Sequence, residues 1–205
     1  MSTAKAQDTS NKILTASAKL FDKFGYYNVS IKQIAQAAKI NSALISYHFG
    51  SKKELYLAVL AKEINIREKL EKQIAALDTS PLIKLQEYLG SILALQLNSK
   101  RHFKLIYQEL LTPTGLSGDW VTKGRDAIHQ YTISLLEEAI TSGYLKPELN
   151  AGHAAFTLES ITVLAFLSRK QLRLLYPGDK EKSEKEITME LVSTYLAPFK
   201  TAKED

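Results

Sequence analysis

The chain of 205 residues contains no cysteine. That absence excludes a disulfide framework, a thiolate metal centre and a cysteine nucleophile. The four histidines, His48, His102, His129 and His153, form no HExxH or other ligand pair, so no metal site is expected. No glycine-rich phosphate loop precedes a helix, and no GxSxG elbow is present. Glu137 and Glu138 adjoin, but neighbouring helical positions diverge by about 100°, so they make no acid/base pair. Neither a catalytic residue nor a cofactor is expected. The opening residues "MSTAKAQDTSNK" lack the apolar stretch of a secretory leader. No run approaches the roughly 18 apolar residues of a membrane span. The expectation is a cytoplasmic protein with no membrane partner.

What the chain has is basic charge at one end and helical periodicity throughout. The net charge is +5. Residues 1–70 hold 11 Lys and Arg against 5 Asp and Glu, and the remaining 135 are nearly neutral. A basic first third points to a polyanion there, with a plain solvated surface as the alternative. No strand-like alternation of useful length occurs, so the fold class is all-α.

About nine helices are expected. The first covers residues 10–24, capped by Ser10 and closed by Gly25. Ser30 and Gln33 form a capping box for a second. A short third helix follows the break "KIN", and Ser51 with Glu54 opens a fourth that runs from Lys52 to about Ala76. "DTSPL" restarts the chain with Ser80 as cap and Pro81 in the first turn. Later helices are expected over about Arg101 to Leu111, 120–142, 151–175 and 182–197, with "YPGD" as a breaker before the last.

Two short helices joined by a three-residue turn, with another helix before them, make a helix-turn-helix over about residues 31–50. In that motif the second helix enters the DNA major groove. Its buried side would be Ile45 and Phe49, with Phe49 expected in the core. Ser42, Ala43, Leu44 and Ser46 offer hydroxyls or apolar contact to base edges. Tyr47 and His48 can donate to phosphates, which position the protein without specifying sequence. Lys52, in the first turn of the next helix, offers both its ammonium and a backbone N–H to a phosphate. Lys32, opening the second helix, is a further candidate for phosphate or groove contact. Tyr26 and Tyr27 are expected to pack between helices.

The stretch "ILTASAKLFDKFGYYNVSIKQIAQAAKINSALISYHFGSKKELYLAVL" resembles the DNA-binding domain of TetR-type (tetracycline-repressor-like) transcriptional regulators. The landmarks are "LF..FG", "S...IA..A", "YHF" and "SK.EL". The resemblance implies a DNA-binding domain over residues 9–69 and an effector-binding and dimerisation bundle over residues 75–200. It also implies a homodimer on an inverted-repeat operator in double-stranded DNA, a small-molecule effector and, as the family default, repression. A helical adaptor using the motif for protein contacts is the alternative. Three positions depart from the family pattern. Lys39 stands where glycine is usual in the turn, Ala43 replaces a frequent glycine, and Ser46 a frequent tyrosine whose phosphate contact Tyr47 would assume. A left-handed Lys39 would cost about 1 kcal/mol.

In the later two-thirds, aromatic and polar insertions suggest a ligand pocket lined by Phe103, Tyr107, Trp120, Tyr131 and Phe156, with Gln108, Glu109 and His129 as its polar groups. The same residues could simply fill a core. "AAFTLESITVLAFL" is apolar around most of its circumference, so residues 151–197 are expected to form the dimer contact, with Ala165 on its face.

Overall fold

A computed structural model describes residues 3–98, 103–175 and 181–203. Among them are ten α-helices and one 3-10 turn. The helices are α1 Thr3–Phe24, α2 Ile31–Ala38, α3 Ala43–Phe49, α4 Lys52–Ala75, α5 Pro81–Leu97, α6 Phe103–Leu111, α7 Trp120–Thr141, α8 Ala151–Leu167, α9 Arg169–Leu175 and α10 Glu184–Leu196. The 3-10 turn covers Ala197–Phe199. The chain divides into two compact units, Met1–Asn65 with His102–Thr122, and Ile66–Arg101 with Lys123–Asp205.

Local chemistry accounts for the first unit's helix boundaries. Ser30 accepts a hydrogen bond from the Gln33 backbone while the Gln33 side chain accepts from the Ser30 backbone, so α2 starts on a complete capping box. It ends at Lys39, which is left-handed at φ 55° and ψ 48°. Asn41 Oδ1 accepts from the Ala43 N–H at 2.9 Å, fixing the entry to α3. Gly50, at φ 78°, ends α3. One residue later Ser51 Oγ accepts from the Glu54 N–H at 3.2 Å and starts α4.

Two helices differ from expectation. α1 begins at Thr3 rather than near Ser10. The added turns contain the helix formers Ala6 and Gln7, and Asp8 pairs with Lys12 one turn on at 2.6 Å. The single helix expected over 151–175 is two, because Ser168 leaves helical geometry at φ −105° and ψ 22°. Its hydroxyl donates to the Leu164 carbonyl, a back-bond that bends helices. The "YPGD" breaker lies outside the described residues.

The first unit's core joins Ile13 and Phe21 of α1, Ile34 of α2, Ile45 of α3, and Leu55, Val59 and Leu60 of α4. Leu105 of α6 and Val121 belong to it as well. The second unit packs Leu82, Leu85 and Leu89 of α5 with Leu135 and Leu136 of α7, Ala154, Ala155 and Leu158 of α8, and Val192 and Leu196 of α10. Ser80, Asn150 and Ser183 cap α5, α8 and α10 through their side chains. A shorter satellite contact buries Ala165 of α8 with Ile187 of α10.

Candidate nucleic-acid interface

Helix α3 is only seven residues long, too short to persist alone in water. It is held because Ile45 is fully buried in the first unit's core. Phe49 packs against the same core but stays half-exposed, so Ile45 alone is the deep anchor. This corrects the expectation for Phe49: it lies in the last turn, at the edge of the core, just before the chain leaves at Gly50.

With Ile45 inward, Ser42, Ala43, Ser46 and Tyr47 are exposed together. Their spacing of one, three and one residues puts them on one face. Tyr47 is the most exposed of the four, at 78%. Leu44 is half-buried at the margin of that face. His48 is half-buried too, and its Nε2 is enclosed without a hydrogen-bond partner. Its ring meets Tyr47 edge-on at 5.2 Å between centroids. Nε2 of His48 is therefore withdrawn from the exposed face, a narrower role than the sequence suggested. Lys32, at the start of α2, is exposed.

At the start of α4, Lys52 is half-buried and Lys53 exposed. Lys53 is a second cation at this helix N-terminus, and its place in "SKKEL" is the signal that could have marked it. The Lys52 ammonium lies 4.2 Å from the centroid of the Tyr26 ring, a cation–π contact. Burial pushes the Lys52 ammonium below its usual pKa. Tyr26 itself packs on Phe21 and Tyr56, as expected for a residue between helices. Tyr27 does not: it is 72% exposed, with its hydroxyl donating to the Thr114 carbonyl at 2.9 Å.

The residues expected to line a pocket fall in both units. Phe103, Tyr107 and Gln108 lie half-buried on α6 in the first unit. Trp120 starts α7, and its side chain lies outside the described residues. His129 and Phe156 belong to the second unit. There His129 Nδ1 lies 3.2 Å from a Glu159 carboxylate oxygen, whereas Phe156 is 63% exposed on the outer side of α8. Within its own unit Phe156 is thus a surface residue and not a cavity wall. Glu109 is not an open polar group either. Its buried carboxylate accepts from Tyr56, the Thr114 backbone and hydroxyl, and Ser117.

The second unit holds a compact polar network that periodicity could not reveal. Arg67 Nη1 donates to both Glu71 carboxylate oxygens, at 2.7 and 2.8 Å. Tyr88 donates to Glu71 Oε1 at 3.3 Å, and Tyr131 to the Glu71 carbonyl at 3.2 Å. Burial, then the charge of Glu71, raises both phenol pKa values. Burial also raises the Glu159 carboxyl, with the neighbouring His129 pulling the other way. Among the described residues no three His, Asp or Glu side chains gather as a metal site.

A short helix anchored by one buried residue, presenting small polar groups and followed by two lysines at a helix N-terminus, defines a helix-turn-helix DNA-binding head. Residues 13–59 match the family described as bacterial regulatory proteins, tetR family. Over those residues the chain carries the DNA-binding head of that family, and it is a helix-turn-helix transcription regulator. It is 28% identical over 150 residues to the HTH-type transcriptional regulator RutR of Escherichia coli strain K12, covering 73% of this chain and 70% of that protein. The HTH-type transcriptional repressor NicS of Pseudomonas putida is 43% identical over 56 residues, 27% of this chain and 26% of that one. The fold matches that of AibR, in a crystal structure with isovaleryl coenzyme A and operator DNA. The TM-score is 0.74 at 18% identity, over 93% of this chain and 100% of that one.

Proposed function

We propose that the protein is a cytoplasmic, homodimeric repressor that holds an inverted-repeat operator and leaves it when a small molecule binds. The observation that carries this is the exposed face of α3, Ser42, Ala43, Ser46 and Tyr47, beside Lys52 and Lys53. Hydroxyls and a methyl on that face suit base edges, and the two lysines suit phosphates. NicS, similar over the same head, is a repressor by name. AibR, similar in fold, has been seen with both an acyl coenzyme A and its operator. Among the described residues no helix is long and apolar enough to cross a membrane.

One seven-residue helix spans too few base pairs for specific affinity, so a two-fold dimer is required. Helix α8 supplies a surface for it. Phe156, Leu164 and Leu167 are exposed at spacings that form one stripe. Large exposed apolar stripes mark association surfaces, and a second copy of the same helix is self-complementary to it.

The test is fluorescence anisotropy on DNA flanking the gene, in a series of salt concentrations, with light scattering of the free protein. Dimers that bind an inverted repeat with a steep salt dependence support the reading. A monomer at micromolar concentration, or DNA affinity indifferent to salt, would reject it.

A further inference from the structure

The carboxylate of Glu109 is buried in the first unit and accepts four hydrogen bonds there. One comes from α4: Tyr56 donates to Oε2 at 3.0 Å. Three come from the segment after α6: the Thr114 N–H at 3.2 Å, the Thr114 hydroxyl at 2.9 Å and the Ser117 hydroxyl at 2.9 Å, all to Oε1. A carboxylate so placed needs every one of these donors, because a buried charge without them is strongly disfavoured.

Two routes lead from Glu109 to the Tyr26–Tyr27 turn that follows α1. Along the first, Tyr56 packs on Tyr26 with ring centroids 5.0 Å apart, and the Lys52 ammonium rests on that Tyr26 ring at 4.2 Å. Along the second, the Thr114 carbonyl accepts from Tyr27 at 2.9 Å. Both routes end within the head that presents Lys52. We propose that Glu109 is a positioning residue for DNA binding, holding Tyr56 and Thr114 so that the Tyr26 ring fixes the Lys52 ammonium toward the phosphate backbone. The assignment rests on the DNA-binding role of Lys52 proposed above. It also gives the segment His102–Thr122 a task that explains why it belongs to the first unit although it lies far along the chain.

Four variants of the protein test it: Glu109→Ala, Glu109→Gln, Tyr56→Phe and Lys52→Ala. Tyr56→Phe keeps the ring and the core, so it reports even where Glu109→Ala folds poorly. The DNA-free readout is the NMR shift of the Lys52 ε-methylene, which the face of Tyr26 moves upfield. The second readout is operator affinity. Glu109→Ala and Tyr56→Phe should each collapse the upfield shift and weaken operator binding about tenfold, with Glu109→Gln recovering most of both. In a Lys52→Ala background the same changes should leave affinity unaltered, because the route acts through Lys52. An unchanged methylene shift in Tyr56→Phe overturns the proposal whatever the DNA result. So does a collapsed shift with wild-type affinity, or an equal loss with and without Lys52. A wild type that binds no DNA while the shift collapses defeats the DNA-binding reading instead, and with it the purpose assigned to Glu109.

Discussion

Ala165 and Ile187 bury each other where α8 passes α10, so Ala165 faces its own protomer. One position earlier on the same helix, Leu164 is 65% exposed. The apolar circumference of α8 is thus divided: Ala165 packs inward, and Leu164 lies on the exposed stripe proposed above as the dimer surface. Sequence periodicity assigned Ala165 to the dimer face, and its burial against Ile187 reassigns it to the interior.

Leu164→Glu should therefore give a folded monomer that loses specific DNA binding. Ala165→Glu should instead lower the unfolding midpoint, since a buried, unpaired carboxylate costs several kcal/mol. Light scattering and thermal melts of the two variants separate the roles. A dimeric Leu164→Glu would remove α8 from the interface.

Tyr47→Ala and Lys52→Ala should both weaken operator binding while leaving the fold intact. A hydrogen bond to a charged group contributes about 1.5–3 kcal/mol, so each loss should be about tenfold or more. Lys52→Ala should act alike on all sequences and lower the salt slope by about one unit. Undiminished affinity in a salt titration of either variant would withdraw that residue from the interface.

The helix-turn-helix was legible because its determinants are local. The capping box of Ser30 and Gln33 and the Ser51 cap each act within four residues of chain, and between them the inward Ile45 stands out as an apolar position of α3. What was not legible depends on distant partners. Glu109 meets Tyr56 across 53 residues, and nothing in "IYQELL" distinguishes its carboxylate from a surface one. The same is true of α6, whose Leu105 belongs to the first unit's core although the sequence reads as part of a later bundle. The break at Ser168 turns on one hydroxyl inside an otherwise unbroken apolar period.

Ile45→Ala should destabilise the first unit more than Phe49→Ala does. Complete burial of Ile45 puts its truncation at about 2–5 kcal/mol. Phe49, only half-enclosed, should cost about 2 kcal/mol, below the usual range for a core phenylalanine. Denaturant melts give the order directly, and a larger loss at Phe49 would reverse the two roles.

Lys39→Gly should raise stability by about 1 kcal/mol, because a side chain at φ 55° bears a left-handed penalty that glycine avoids. The Lys39 side chain is exposed, so little packing is lost with it. Equal or lower stability in chemical denaturation would mean that the unfolded-chain entropy of glycine outweighs the relief.

Burial raises the Glu159 carboxyl above its ordinary value, with Thr132, His129 and Arg125 opposing the shift. As pH rises from about 4.3, the usual glutamate value, the unfolded chain releases this proton before the folded chain does. Through that window the folded state binds more protons, so stability attributable to Glu159 falls with rising pH and levels off above the raised folded value. Glu159→Gln cannot titrate and should lack this decline. Its stability relative to wild type should therefore improve as pH climbs through the window and stay constant beyond it. Denaturant melts at half-unit steps measure the difference. A difference that shrinks with rising pH would show that His129 and its neighbours outweigh burial, leaving Glu159 charged and stabilising in the folded unit.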